Sequence, residues 1–340
     1  MTDIRVAVVG NGGIYRLAHG PAWRQIPEAK VIATCDIVKE RAEQASAEMG
    51  SEKCFTSMEE LLAKDEIDLV DICTPHPSHA ELAIQALEAG KHVICEKPMA
   101  LTVEDAARMM TAARTKKLHL YIGHTRRFDR RWVEVKQQLK SGRIGDAVAV
   151  RWSERSWAGF SGDSWRWDPK NGGVLMDLGV HIADLFAWFF EAEAKEVFAK
   201  TLSIRPEARQ KGAADFALVQ ITFAGNKQGL MELSWAHPKE YAPLYSSLEI
   251  IGTRGKITLS DRDAAPMIIV KGGTEIPRFS PLLSTFPESF VGELAHFVKA
   301  IAGETVERIT PEDAYRAVEI IVKALQSAAS GKPIKFKEAS

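Results

Sequence analysis

Between residues 1 and 123, short unbroken apolar runs alternate with stretches of helical periodicity, and this alternation limits the fold more sharply than any other feature. "IRVAVVG", "KVIATCD", "IDLVDICTP", "HVICEKP" and "LHLYIG" place apolar residues on both sides of a strand. Such strands are buried on both faces, as in a parallel sheet covered by helices. The segments between them supply the helices: one to about Gln25, one over Val38–Met49, then "SHAELAIQALEAG" and "TVEDAARMMTAARTKK". In "EAGKHV" a glycine stands where a helix stops, with lysine and histidine beyond it.

The pattern changes near residue 145. "DAVAVRWSER", "AKEVFAKTLSI", "DFALVQITFAG", "KQGLMELSWA", "SSLEIIGTRGKITLS" and "APMIIVKGG" alternate apolar and polar residues, with glycine-bearing turns between several of them. This predicts an antiparallel meander with one face covered. A strongly apolar helix from Gly173 to about Phe190 interrupts it, and amphipathic helices over Pro287–Ala302 and Pro311–Ser330 close the chain. The class is α/β, and 340 residues suit two domains.

Forty-four Lys and Arg nearly balance forty-five Asp and Glu, so no charge excess points to nucleic acid or a charged partner. The N-terminus has no leader pattern, and no apolar run approaches the ~20 residues that span a bilayer. Cys35, Cys54, Cys73 and Cys95 show neither metal spacing nor a disulfide framework, and three of them lie at or near apolar strands. A reducing cytoplasm, no membrane and no metal are the expectations.

"VVGNGGIY" follows the first strand and opens a helix. Gly10 and Gly12 fit the first two positions of a dinucleotide fingerprint, and Gly13 and Ile14 continue the loop. Tyr15 replaces the third glycine, so its bulk should push the helix from the strand or turn outward over the cofactor. Asp36 ends the second strand, where a carboxylate accepts ribose hydroxyls and repels a 2′-phosphate. NAD is favoured; Lys39 and Arg41 nearby leave NADP open.

Two further stretches carry chemistry. In "VICEKPMA" an apolar strand ends directly in Glu96, Lys97 and Pro98. Proline keeps Lys97 out of the helical region and ends the strand, and a cis Lys97–Pro98 bond is suspected. In "DLGVHIAD", Asp177, His181 and Asp184 share a face of a helix apolar enough to be buried. Ionisable groups there need a partner or a purpose.

With these pieces the chain resembles the Gfo/Idh/MocA oxidoreductases: "GNGG", "TPHPSHAELAIQALEAGKHVICEKPMA", "GGVLMDLGVHIAD" and the following meander cover nearly its whole length. The resemblance implies an N-terminal Rossmann domain and a C-terminal α/β domain with a large open, mainly antiparallel sheet. The division falls at 1–124 and 125–340, the last helices being free to pack back on the first domain. It also implies NAD(P)-dependent redox chemistry on a secondary alcohol of a sugar, cyclitol or related polyol, and a homo-oligomer, dimer or tetramer, through the C-terminal sheet. The family's lysine falls on Lys97, its aspartate and histidine on Asp177 and His181. His19, in the first helix, looks one residue late and is left out of the site.

In this reading His181 is the natural proton acceptor, oriented by Asp177, while Lys97 bonds the reacting oxygen and stabilises alkoxide; which of Lys97 and His181 takes the proton stays open. Glu96 pairs with a positive group or contacts the cofactor ribose. Thr74, Pro75 and His79 end the third apolar strand on the nicotinamide side, with helix capping equally open for His79. His124 is placed against cofactor or substrate. Trp165 and Arg166, in a loop with four tryptophans, are the expected substrate contacts. A catalytically silent NAD(P) sensor and a reductase of keto or unsaturated compounds are the alternatives.

Overall fold

The computed structural model describes all residues except 1–2, 52, 65, 158, 239–244, 261–266, 272, 276–286, 305–308 and 338–340. The chain forms two compact units, Met1–Asp129 with Ser284–Tyr315, and Arg130–Leu283 with Arg316–Ser340.

The first unit is built on six strands: β1 (Ile4–Val9), β2 (Ala29–Cys35), β3 (Lys53–Phe55), β4 (Leu69–Ile72), β5 (His92–Glu96) and β6 (Leu120–Gly123). They pair in parallel in the order β3-β2-β1-β4-β5-β6. The edge strand β3 was not legible in the sequence, since three residues show no period. Strand order reverses between β1 and β4, the place where open α/β sheets bind ligands beyond their carboxyl ends. The helix Val103–Lys116 starts at Thr102, whose hydroxyl accepts the Asp105 N–H at 3.0 Å. The helix Glu288–Ile301 belongs to this unit because its apolar face completes the core: Phe290, Leu294, Phe297 and Val298 pack with Val6, Val8, Ile94 and Tyr121.

The second unit holds β7 (Ala147–Arg155), β8 (Ala194–Leu202), β9 (Phe216–Phe223), β10 (Lys227–Ser234), β11 (Tyr245–Gly252), β12 (Gly255–Ser260), β13 (Met267–Val270), β14 (Gly273–Glu275) and β15 (Ile334–Lys335). Their order is β14-β13-β12-β11-β7-β10-β9-β8-β15. One pair departs from the expected meander: β7 and β10 run parallel. The apolar helix between β7 and β8 carries the chain across, so it re-enters the sheet from the far side and meets β7 in the same direction. That stretch, Pro169–Phe190, is also long and apolar enough to cross a membrane, with mean hydropathy 1.5, contrary to the sequence reading. It is the core helix of this unit, 78% buried over its most apolar window.

Candidate active site

In the first unit the expected cofactor residues meet at the carboxyl ends of the strands. Gly10 has φ +89°, and a Cβ there would lie 2.7 Å from the Thr74 side chain and 2.8 Å from backbone at Cys73 and Thr74. Only glycine lets the loop pass the end of β4. At Gly12 and Gly13 a Cβ would meet nothing within 4 Å, so the outer edge of the loop is open. Asp36 is buried and ties this loop down: one oxygen accepts the Asn11 N–H at 2.7 Å, the other the Val38 N–H at 2.8 Å. Asn11, absent from the sequence-derived set, is 2% exposed, and among the described residues its side-chain nitrogen and oxygen have no hydrogen-bond partner. An orphaned buried amide costs ~1–3 kcal/mol, which a polar ligand at this loop would recover. Ile37, also missed, stands 92% exposed beside Asp36. Open glycines, an unsatisfied amide and a strand-end carboxylate fit a dinucleotide, and Asp36 disfavours a 2′-phosphate.

Tyr15 does neither of the two things expected of it. After half-buried Ile14 the chain makes a π-turn, Tyr15–His19, and the tyrosine enters the core, 1% exposed, with its hydroxyl 3.4 Å from the Ala45 carbonyl. Gly20 makes the room: a Cβ there would come 3.1 Å from the Tyr15 ring. The wider turn takes up an extra residue. It also explains why His19 looks late, since the turn delivers it to the sheet.

His19 is fully buried, with Nδ1 2.9 Å from Asp71 Oδ2 and Nε2 3.0 Å from Glu96 Oε1. Burial alone would drive the imidazole neutral, but Asp71 foremost outweighs it and holds the pKa well above 6.5. Glu96 responds in kind: burial opposes its charge, yet the His19 bond brings its pKa below 4.5. Glu96 therefore turns inward to a histidine, not outward to a ribose. His19, Asp71 and Cys73 offer donor atoms within 4.8 Å of one another, but Asp71 Oδ2 is already shared by His19 and Trp23 Nε1, and burial pushes the Cys73 thiol up to about 12. They form a hydrogen-bonded set.

At the neighbouring strand ends, Thr74 is half-buried, Pro75 exposed and Lys97 half-buried, followed by a cis peptide to Pro98. His79 differs from both expectations. Its helix has no side-chain cap, and its fully buried ring lies 2.7 Å from the Pro98 carbonyl and 2.8 Å from the Thr74 carbonyl. Burial holds its pKa below 6.5, so the neutral ring donates to one of these carbonyls at a time. His124, at the end of β6, is 1% exposed.

In the second unit Arg166 is the hub. Its guanidinium lies 4.4 Å from the Trp165 ring centre and 4.5 Å from that of Phe160, and Nε donates to Asp177 Oδ2 at 3.3 Å. The helix bearing Asp177 is not regular: Leu175–Gly179 is a π-turn, and the α-helix Val180–Phe190 follows, with His181 half-buried and Asp184 1% exposed. A face drawn at 3.6 residues per turn therefore does not run unbroken from Asp177 to Asp184. Of the four tryptophans, Trp152 and Trp167 are core, Trp157 is 37% exposed, and only Trp165 stacks on Arg166.

A parallel sheet with a dinucleotide loop at its switch point, in a chain that also carries a mixed sheet and an Arg166–Asp177 pair, defines an NAD-binding oxidoreductase. Residues 4–124 match the oxidoreductase family with an NAD-binding Rossmann fold, and residues 132–258 the GFO/IDH/MocA C-terminal domain. The chain belongs to the Gfo/Idh/MocA family. It is 27% identical to the myo-inositol 2-dehydrogenase of Thermotoga maritima over 98% of this chain and 99% of that protein. It is 27% identical to the scyllo-inositol 2-dehydrogenase (NAD(+)) of Bacillus subtilis over 98% and 96%. A solved oxidoreductase domain protein from Kribbella flavida superimposes with TM-score 0.90 at 25% identity, covering 99% of this chain and all of that one.

Proposed function

We propose that the protein oxidises a secondary hydroxyl of a cyclitol or sugar. When bound, NAD supplies the hydride acceptor; Gly10, Gly12, Gly13, Ile14, Asn11, Asp36, Thr74 and Pro75 would hold it. The observation that carries the reading is Lys97, a half-buried ammonium at the carboxyl rim of an NAD-binding sheet, directly after a buried carboxylate. Lys97 hydrogen-bonds the substrate oxygen and stabilises developing alkoxide. His181 takes or relays the proton. Asp177, held by Arg166, stabilises its charged form, and Trp165 stacks on the C–H face of the ring. The full-length likeness to two inositol dehydrogenases supports a cyclitol first.

A panel of inositols, aldoses and anhydrosugars, read by NADH absorbance, tests this. Lys97→Ala and His181→Ala each lose about 100-fold or more in kcat, the usual size of an acid–base contribution. Near-normal turnover in both removes the assignment. Tight NAD binding with no turnover on any member turns the reading to a sensor, and turnover only with keto compounds and NADH turns it to a reductase.

The outer face of the second unit's sheet exposes Leu218 and Leu230 to 50% and 42% beside the ion pairs Arg155–Glu232 and Arg151–Glu249, a surface suited to a second copy of the chain. We assign homo-oligomerisation to it, and a monomer mass by light scattering would sink that. Buried thiols at Cys35, Cys73 and Cys95 suit a reducing cytoplasm.

A further inference from the structure

Three buried ionisable groups of the first unit, His19, Asp71 and Glu96, have no role in the proposed reaction, yet they form a chain that ends at the residue before Lys97. His19 faces a carboxylate oxygen with each ring nitrogen, at 2.9 and 3.0 Å. Carboxylates only accept, so both bonds require both ring protons: an imidazolium clamped between two anions. Asp71 is fixed in turn by Trp23 Nε1 at 2.7 Å. The second oxygen of Glu96 accepts the Lys97 backbone N–H at 3.0 Å. On the far side, Pro98 is buried and its carbonyl lies against His79.

We propose that Glu96 is a positioning residue for Lys97: its carboxylate, anchored on the buried His19 imidazolium, fixes the backbone from which the Lys97 ammonium projects. The kinetic part rests on the reading of Lys97 given above. Placement of this kind matters because a shift of ~1 Å in a reacting group can cost ~100-fold in rate.

Two substitutions separate position from fold. Glu96→Ala removes the acceptor but leaves His19 paired with Asp71, so the core keeps a balanced ion pair. Glu96→Gln keeps the shape: its oxygen accepts the Lys97 N–H, and its amide donates to a neutral His19. Hydrogen exchange read by mass spectrometry on peptides spanning residues 96–98 reports the Lys97 amide directly, as Pro98 has none. In E96A this amide should exchange roughly 10-fold faster or more, while amides of β4 keep their protection. Turnover of myo-inositol with NAD⁺ should fall by about 10- to 100-fold in kcat, with NADH affinity by fluorescence unchanged. E96Q should recover most of both losses. Unchanged Lys97 exchange in E96A, or E96Q as impaired as E96A, overturns the proposal. Normal turnover in Lys97→Ala instead removes the catalytic reading of Lys97, while the exchange result still decides whether Glu96 holds its backbone.

Discussion

Two histidines stand at π-turns, one in each unit, and the chain uses them in opposite ways. His19 ends the turn Tyr15–His19 and is sealed, each nitrogen bound to a carboxylate. His181 follows the turn Leu175–Gly179 and keeps part of its surface in the open. In both places an inserted residue breaks the helical period next to an ionisable group, where π-bulges are often found. What differs is the company each ring keeps. Carboxylates in a closed core favour the charged form of an imidazole, whereas a half-buried ring keeps a face that a ligand can reach.

The sharpest way to break this contrast is to remove each ring. His19→Ala strands two buried carboxylates, and urea denaturation should show a loss of ~3–5 kcal/mol, as when one partner of a buried ion pair is deleted. His181→Ala should change stability by less than ~1 kcal/mol, its cost appearing in kcat. Equal destabilisation of the two variants would erase the distinction.

A smaller effect tests the charge balance around His19. Glu293, on the helix Glu288–Ile301, is fully buried. Burial first, and then the charge of Glu96, push its pKa well above 4.5, so the acid stays protonated in the fold. A raised carboxyl contributes stability that is whole below its unfolded pKa near 4.5 and is lost as pH rises through the folded value. Glu293→Gln does not titrate. Its denaturation midpoint should gain on the wild type as pH rises above the unfolded carboxyl's value near 4.5, and level off once the folded acid ionises; a gap that stays constant from pH 5 upward would show that Glu293 is ionised throughout. The smallest effect is at Tyr15→Phe, which gives up only a 3.4 Å bond to Ala45 and should cost ~0.5–1 kcal/mol.

The strands of the first unit other than β3, the glycine loop, Asp36 and the strand-end placement of Lys97 were legible because each shows in a local pattern: apolar runs, turn residues, a carboxylate closing a strand. The inward course of Tyr15 was not, because it depends on Gly20 leaving a gap. The roles of His19 and His79 were hidden too, since their partners lie 52, 77 and 19 residues away. Helical spacing placed Asp177, His181 and Asp184 on one face, but it assumes a regular turn and so could not foresee Leu175–Gly179 or Arg166 as the partner of Asp177. The parallel β7–β10 pair escaped for a related reason: alternation reveals a strand's faces but not its direction.

The return of residues 284–315 to the N-terminal unit has a consequence for biosynthesis. Phe290, Leu294, Phe297 and Ile309 are part of the core that also holds Val6, Val8 and Ile94. A nascent chain that has emerged only to Asp129 therefore leaves that core open. At 5–20 residues per second, the wait for the closing helix is on the order of 10 s or more. During that time the apolar side of the sheet lies bare, which is the state chaperones bind.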